Sequence, residues 1–600
     1  MRTLLISIVS AVTVQTAAQN PQLADTYFEN KEYDKALAEY RELYKRSPQR
    51  LFYLRMYQCH LELKEYKEAA TLAEKHLQRT NEPEGIYLAD VAFAKARMGD
   101  SKAESKIINR ILESIAKNPQ NAYQVGQALS DKGYFEAALR TYEIAEKANP
   151  SFNFTYQKAL LYADLGQLEK MYDAYIEILE RTPSMAPTIK SLLARAMAAE
   201  GGEDDLSYIA SHLYTRAFQL KNPVMADVLT FIYTEKNDYP SALAFLKEWH
   251  QRTEFGTIGE IYQLALHAIK QQDYHHAIDA LTWVLSHTTN ASYLHRATLA
   301  LHEARARQAL DPQWPLSHVQ TIIDENQKLL QTQGLSFNTS SLAEATAKLM
   351  AQRTGQKTQA LELIESLVKL PGQPADEKAR LLMLKGDIYL SMKEPMIAIV
   401  AYARAEEIAE SETLKDNAKL ARARAIYYNG DIPWALEIFE ILQESTSKPT
   451  SNQASYYASK IMLNSGGDTT YEAMTLYAHA DMFYHVGEYQ NTHKILDYII
   501  NTYTNHPIQD DAYLLKAMTY EAQGHYQQAV EWYERVYTIF GYDLLADQAI
   551  YKAAVLHQEK LNNPRRAIEL LELIVLEFTD SFLHHQARMR LRTLLSQNPS

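Results

Sequence analysis

The chain has 600 residues, of which 46% are hydrophobic and 22% are charged, a composition typical of a large protein with extensive buried surface. Its formal net charge of −13 argues against nucleic acid as a partner, because phosphate binding needs clustered lysine and arginine. A single cysteine, Cys59, rules out an intrachain disulfide, and its place within a helical segment indicates a buried structural thiol.

Residues 1–18 are predicted to be a secretory signal peptide. Arg2 supplies the positive flank, residues 4–14 form a short apolar run, and residues 16–18 are a small-residue cleavage site before Gln19. The apolar run is too short to span a bilayer, and no later run of about 20 apolar residues exists. We therefore expect an exported protein, periplasmic or else secreted, with no transmembrane span and with peripheral envelope association left open.

Residues 19–183 are predicted to form about five units, each made of two amphipathic helices around a tight turn. The units align on a small residue of the second helix, at the point where the two helices are expected to cross. This residue recurs after 33 positions in the first two units, as Ala36 and Ala69. The same alignment places Ala138 in the fourth unit and Met171 in the fifth.

The middle of the chain is less regular. Residues 184–222 are predicted to be a degenerate helical unit, whose two helices are joined by the polar turn 201–205. Regular units return over residues 223–310. Residues 311–354 contain prolines, a glycine and a polar string around one helical run, which predicts an irregular helical linker or hinge, although an ordinary long loop explains the same pattern.

Residues 355–600 are predicted to form units with a longer period, since Ala360, Ala398 and Ala435 are 38 and 37 residues apart. The next aligned position, Thr492, follows Ala435 by 57 residues. This excess predicts an extra helix near 452–463, which would bend the stack or cap its groove. The chain is expected to end in a capping helix.

The repeated pattern is clearest at residues 510–543, where two short helices flank Gly524. Small residues, Ala517 and Ala529, lie at the predicted helix crossing, and Tyr526 and Tyr533 fill the space between the helices. This pattern resembles the tetratricopeptide repeat. The resemblance implies an all-α, right-handed α–α superhelix of about thirteen or more helix pairs that binds other proteins.

The longer linkers after residue 355 are similar to those of tetratricopeptide proteins of the bacterial envelope, including outer-membrane-assembly and Tol–Pal-associated families. This resemblance implies a role in envelope assembly or secretion. The chain departs from the lipoprotein members of these families because it lacks a cysteine at the cleavage site, so lipid attachment does not carry over.

In the tetratricopeptide family, certain positions of each first helix line a concave groove that holds a protein or peptide. Aromatic side chains flanked by a few charges suit such a surface. Carried onto this chain, these positions are Tyr156, Phe231, Tyr262, Met383, Asp387, Arg424, Tyr427, Tyr428, Tyr477, Asp481, Tyr484, His485 and Met518.

The chain shows no phosphate-binding glycine loop, nucleophile elbow or paired cysteines, so no catalytic or cofactor-binding residue is predicted. His295 and His302 share a helix face but lack a third ligand, and no metal site is predicted. The sequence therefore favours an exported, non-enzymatic protein-interaction scaffold.

Two alternatives stay open. A carbohydrate or peptidoglycan binder would show adjacent exposed tyrosines, such as Tyr427 and Tyr428, near carboxylates. An enzyme hidden in the irregular segments would show a deep pocket with clustered titratable groups at 184–222 or 443–470.

Overall fold

A computed structural model describes residues 21–198, 206–465, 470–541 and 544–597 of the chain. Within these ranges the regular secondary structure is entirely helical, and none of the helices has the length and hydropathy that a bilayer span requires. The chain divides into two compact units, with the boundary between Leu264 and Ala265. The predicted signal peptide and the polar turn 201–205 lie outside the described residues.

The first unit is built from consecutive α-helices joined by short turns. Its 3₁₀ turns are Pro119–Asn121 and Pro183–Met185. Its helices are α1 (Pro21–Glu29), α2 (Tyr33–Arg46), α3 (Arg50–Glu62), α4 (Tyr66–Leu77), α5 (Glu84–Arg97), α6 (Ser101–Lys117), α7 (Ala122–Ser130), α8 (Phe135–Ala148), α9 (Thr155–Asp164), α10 (Leu168–Arg181), α11 (Ala186–Ala198), α12 (Leu206–Leu220), α13 (Pro223–Glu235) and α14 (Tyr239–Arg252).

The unit boundary falls within α15 (Ile258–Lys270), and the second unit continues the helical succession. It also contains a 3₁₀ turn, Phe337–Thr339, and a π-helical turn, Met350–Thr354. Its helices are α16 (Tyr274–His287), α17 (Ala291–Gln308), α18 (Leu316–Gln333), α19 (Ser340–Leu349), α20 (Lys357–Val368), α21 (Ala375–Ser391), α22 (Pro395–Ile408), α23 (Glu412–Tyr428), α24 (Ile432–Leu442), α25 (Lys448–Ser465), α26 (Glu472–His485), α27 (Tyr489–Thr502), α28 (Gln509–Ala522), α29 (Tyr526–Phe540), α30 (Ala546–Glu559), α31 (Pro564–Glu577) and α32 (His584–Gln597).

The aligned small residues of the second helices are fully buried, which confirms the predicted register. A methyl side chain lets two helix backbones approach closely, whereas a larger residue at the crossing would force them apart. Met171 replaces the alanine in the fifth unit and is also buried. The aligned alanines, none of which has any exposed surface, are Ala36, Ala69, Ala138, Ala242, Ala277, Ala360, Ala398, Ala435, Ala529 and Ala567.

A second close approach joins the two helices of a pair sixteen residues apart. A Cβ atom added to Gly386 on α21 would lie 2.5 Å from a ring carbon of Tyr402 on α22, and one added to Gly126 would lie 2.4 Å from the Tyr142 ring. Distances this short are sterically forbidden, so the tyrosine ring occupies the space that a side chain would take. The bulky residue of the second helix therefore requires a small residue on the first.

The irregular segments are also helical where the structure describes them. In the degenerate unit, α10 contacts α12 and α11 contacts α13. Within 311–354, the guanidinium of Arg353 donates to the carbonyl oxygens of Ala309 at 2.6 Å and Trp314 at 2.8 Å, and it also contacts the carbonyl of Asp311. These bonds hold the predicted linker against the π-helical turn.

The predicted extra helix is present as α25 and is longer than expected, with 18 residues. It contacts α23, α24 and α26, while α23 also contacts α26 directly. The insertion therefore packs beside the stack of first helices without interrupting their succession.

The single cysteine is buried, as the sequence predicts. Cys59 is a free thiol whose pKa is raised to about 11, chiefly by desolvation.

Replacing Ala529 by tryptophan tests the packing register. Ala529 is fully buried between α28 and α29, so the larger ring should overpack the crossing and destabilise this pair by about 1–3 kcal/mol or more. Hydrogen exchange of the α28 and α29 amides measures the loss. The control Gln528→Trp places the same ring at an exposed neighbouring position, and equal protection in both variants would contradict the register.

Candidate functional site

The first helices of the helix pairs form a continuous surface in the second unit. Along it α21 contacts α23, α23 contacts α26, and α26 contacts α28. We call this surface the inner face. All ten groove residues predicted for the second half of the chain lie on these four neighbouring helices of the second unit.

A cavity of about 540 Å³ opens on the inner face, and we call it the inner cavity. Three predicted residues, Asp387, Arg424 and His485, meet in its wall although they come from three different helix pairs. The size falls within the range of about 300–1,000 Å³ that is usual for ligand pockets. The other lining residues are Ala351, Gln352, Lys357, Leu384, Ile388, Ser391 and Val486.

Arg424 is the least satisfied group of the inner cavity. Its Nε atom is buried without a hydrogen-bond partner, and its guanidinium forms no ion pair with any described residue. A buried donor without a partner costs free energy, since it has lost its hydration and gained nothing in return. A guanidinium has five N–H donors in a planar fork, so a ligand carboxylate could accept two of them at once.

Asp387 is held in place by the packing of its own helix pair. The hydroxyl of Tyr402 donates to Asp387 Oδ1 at 2.6 Å, and Tyr402 is the ring that packs against Gly386. Asp387 reaches solvent through the cavity, yet the surrounding protein removes enough hydration to raise the pKa of its carboxyl. The Tyr402 hydroxyl, Arg424 and Lys348 oppose this shift by stabilising the carboxylate.

Asp481 lies one helical turn before His485 on α26 and is half-buried. It forms no ion pair among the described residues. Desolvation raises the pKa of its carboxyl, while Lys460 and Arg424 act in the opposite direction from a distance. The inner face thus carries an unpaired arginine and an unpaired carboxylate on neighbouring helices. On the same helix, burial and Arg424 lower the pKa of His485, which favours its neutral imidazole.

Four predicted groove tyrosines, Tyr262, Tyr427, Tyr428 and Tyr477, are core residues, which corrects the expectation that they are exposed. Tyr427 has no exposed surface, and Tyr428 and Tyr477 keep only 2% each. Tyr427 and Tyr428 lie three and four residues after Arg424 and so share its side of α23, yet other helices cover them. The Tyr427 ring lies 5.4 Å from that of Tyr457 on α25, and the Tyr477 hydroxyl accepts a hydrogen bond from Lys460 on the same helix. The Tyr427 hydroxyl is buried without a hydrogen-bond partner among the described residues.

The remaining predicted residues do not join the inner cavity. Met383 and Met518 are half-buried against the core, and the Tyr484 ring lies 6.2 Å from that of Tyr489. In the first unit, Tyr156 and Phe231 are half-buried and Tyr262 is 93% buried, with 7% of its surface exposed. The ammonium of Lys190 lies 5.4 Å from the centroid of the Phe231 ring.

A second cluster of charged groups surrounds α25. Lys460 Nζ lies 3.2 Å from Asp511 Oδ1 and donates to the Tyr477 hydroxyl at 3.1 Å. Asn464 Nδ2 donates to Asp511 Oδ2 at 2.7 Å. Desolvation alone would lower the pKa of Lys460, but Tyr477 and Asp511 outweigh it and raise that pKa, so the ammonium keeps its proton. This cluster borders a cavity of about 240 Å³, which we call the α25 cavity.

Comparison with known families places tetratricopeptide repeats at two stretches of the sequence. Tetratricopeptide repeat models match residues 22–82 and residues 510–540. The chain contains tetratricopeptide repeats. Together with the all-helical structure, these matches identify an all-α tetratricopeptide superhelix. No curated protein matches the sequence significantly.

Several solved structures are similar to the chain at low sequence identity. The Naa15/Naa10 complex bound to HypK-THB is similar at 14% identity and a TM-score of 0.26, over 91% of this chain and 96% of that chain. A tetratricopeptide repeat protein from Parabacteroides merdae gives 14% identity and a TM-score of 0.26, over 49% and 97%. The apo form of RapI gives 15% and 0.29, over 57% and 97%.

The family positions do not identify several groups that the structure brings to these sites. Gln352 and Lys357 lie at a π-helical turn and the helix start after it, outside the first-helix positions that the family uses. Lys460 and Asn464 lie on the inserted helix, for which the repeat offers no template. The sequence did contain one indication of this site. Asn464 lies three residues after Ile461 and six after Ala458, so a polar residue continues a helix face that is otherwise apolar and buried.

Removing the charge of Asp481 should stabilise the repeats at neutral pH. A carboxyl whose folded pKa is raised contributes stability that is present below its ordinary value near 3.9 and is lost as pH rises through the folded pKa. Asp481→Asn should therefore be more stable than the wild type by about 1 kcal/mol at pH 7, and the difference should vanish in acid.

Urea denaturation at a series of pH values measures this difference. The control Asp279→Asn removes an exposed carboxylate of the same unit and should leave the midpoint nearly unchanged. Destabilisation by Asp481→Asn at pH 7 would show that an attractive interaction holds the charge.

Proposed function

We propose that the protein is an exported, non-enzymatic scaffold that binds a protein or peptide partner on the inner face of its second unit. The proposed setting is envelope assembly or secretion. Tetratricopeptide repeats generally act as protein-interaction scaffolds, which supports the binding role. The predicted signal peptide and the long linkers support the setting. The observation that carries the proposal is the inner cavity, where the buried Arg424 Nε has no hydrogen-bond partner and the guanidinium forms no ion pair among the described residues.

The chemistry of the inner cavity favours an acidic anchor on the partner. Arg424 offers a planar fork of donors, and Lys357 adds a second cation, one of whose protons is bonded to the carbonyl of Ser391 at 2.8 Å. A carboxylate placed there would satisfy the buried guanidinium, and charge-assisted bonds of this kind are stronger than neutral ones. Asp387 lines the same cavity and would repel a second acidic group, so it limits where the anchor can lie.

The sugar-binding alternative loses its main support in the structure. It required adjacent exposed tyrosines near carboxylates, and Tyr427 and Tyr428 are buried instead. The enzyme alternative required a pocket with clustered titratable groups at 443–470, and the α25 cavity has these features. However, a nucleophilic or basic lysine needs a lowered pKa, whereas that of Lys460 is raised, which favours binding over catalysis there.

Replacing Arg424 by glutamine should abolish partner capture while preserving the fold. Affinity capture from a bacterial envelope extract, with the mature chain as bait, should recover a defined protein set. Loss of a buried charged contact weakens binding by about 2–5 kcal/mol, so the variant should no longer retain the partner during capture. Circular dichroism melting checks that the variant is folded.

The control Arg404→Gln removes an exposed arginine from α22, next to the helix that carries Asp387, and should capture the same proteins as the wild type. Equal recovery with Arg424→Gln would rule out the inner cavity as the anchor. Recovery of cell-wall polymer alone would overturn the scaffold proposal and restore the sugar-binding alternative.

Export is tested separately by joining residues 1–20 to a reporter enzyme that is active only outside the bacterial cytoplasm. The fusion should be active, because Arg2 and the following apolar run have the features of a signal peptide. An aspartate within the apolar run, Ile8→Asp, is the control and should abolish the activity. Recovery of the full-length protein only in the cytoplasmic fraction of the cells would contradict the proposed location.

A further inference from the structure

The α25 cavity combines apolar walls with a charged floor. Tyr456, Leu463 and Leu544 stand at its edge with 51%, 57% and 72% of their surfaces exposed. Ser459, Pro507 and Leu545 complete the walls, and the floor is made by Lys460, Asn464, Asp510 and Asp511. An apolar cavity of about 150 Å³ is known to admit benzene, so the volume of about 240 Å³ is sufficient for an aromatic ring with a short polar extension.

The floor is a built polar site whose side chains are more than nine-tenths buried. Lys460 keeps 8% of its surface exposed, Asn464 3%, Asp510 7% and Asp511 6%. Most hydrogen-bond donors of this floor are already directed into the protein. Lys460 bonds to Tyr477 and pairs with Asp511, and the Asn464 amide donates both to Asp511 and to the carbonyl oxygen of Lys460 at 2.9 Å.

The capacity that remains at the floor is that of an acceptor. A carboxylate has about four lone-pair positions, and the bonds from Lys460 and Asn464 use two of those on Asp511. The Oδ1 atom of Asn464 accepts no hydrogen bond from any described residue. Asp510 adds a second carboxylate, whose Oδ1 accepts the amide N–H of Asp511 at 2.7 Å. The free acceptor positions of Asp511 and Asn464 therefore suit an ammonium, which donates hydrogen bonds and accepts none.

The burial of this cluster has a physical cost that packing alone does not repay. A buried ion pair is often no more stabilising than apolar residues of the same volume, since both ions lose their hydration. The residues at the rim of the cavity are largely apolar, so packing alone does not require ions at Lys460 and Asp511. The polar floor therefore points to recognition of a ligand.

We propose that the α25 cavity binds a protonated primary amine carried by an apolar group. The ammonium donates to Asp511 and to Asn464 Oδ1, and the apolar group lies against Tyr456, Leu463 and Leu545. This site is distinct from the inner cavity, and the proposal does not depend on the function proposed above. The same chemistry occurs in a free arylalkylamine and in the amino terminus of a peptide that begins with phenylalanine.

Isothermal titration of the mature full-length chain with three small probes tests the charge requirement. Phenethylamine should bind with one-to-one stoichiometry, whereas 2-phenylethanol and 3-phenylpropionate, which carry the same ring without the positive charge, should bind at least about tenfold more weakly. Equal binding of the three probes, or no binding of phenethylamine, would overturn the proposal. This panel needs no variant and cannot be confused with misfolding.

Two variants locate the binding position. Ser459→Trp fills the cavity from an exposed position on α25 and should weaken phenethylamine binding at least about tenfold. Its control, Gln453→Trp, introduces the same ring at an exposed position of α25 that does not line the cavity, and should bind like the wild type. Unchanged binding in Ser459→Trp would place the amine elsewhere and refute the assignment.

A last pair of probes separates the two sources of the amine. Phe-Gly-Gly with a free amino terminus is compared with its N-acetylated form, which keeps the ring and loses the charge. Binding of the free peptide alone identifies a polypeptide amino terminus as ligand. Binding of phenethylamine without either peptide identifies a small amine, and binding of both peptides equally would overturn the requirement for an ammonium.

Discussion

The contact between a small residue on one helix and a large ring on the next sets the spacing of this fold. Gly386 has no Cβ because the Tyr402 ring occupies that position, and the same arrangement joins Gly126 to Tyr142. The contact also reaches the site, because the Tyr402 hydroxyl donates to Asp387 on the wall of the inner cavity. One tyrosine thus packs a helix pair and orients a candidate binding carboxylate, so the spacing of the repeats and the geometry of the cavity are linked.

The inserted helix adds polar chemistry where the repeat alone would place apolar packing. Lys460 and Asn464 reach from α25 to Asp511 on α28, across the pair α26–α27 in sequence. The buried groups satisfy one another only in this arrangement, because a missing partner would leave an ion without hydration. The network therefore specifies the position of α25 as well as forming the floor of its cavity.

Much of the fold could be predicted from the sequence, because the same pattern of small and large residues recurs in many repeats. The buried alanines of the second helices confirm the register, and α25 appears where the spacing becomes 20 residues too long. The exposure of individual groove residues does not follow. Tyr427 and Tyr428 occupy family groove positions, yet a neighbouring helix covers them, since burial depends on what packs opposite and the inserted helix has no counterpart in the family pattern.

The residues of the inner cavity could be predicted only in part, because some of them lie outside the regular repeat positions. Asp387, Arg424 and His485 could be selected together because each lies at an inner position of a first helix. Lys357 comes from a helix start after a π-helical turn, and such turns leave no periodic signal in the sequence. Gln352 lies within that turn. Gln352 and Lys357 therefore come from an irregular stretch of backbone, whereas Asp387, Arg424 and His485 lie at regular repeat positions.

Asp481 connects the electrostatics of the two cavities. Its carboxyl responds to Lys460 on the side of α25 and to Arg424 on the inner face, while forming an ion pair with neither. An anion bound to Arg424 would neutralise one of these cations and so raise the pKa of Asp481 further. An ammonium bound at Asp511 would add positive charge near Lys460 and act in the opposite direction. The carboxyl of Asp481 thus responds to charge placed in either cavity.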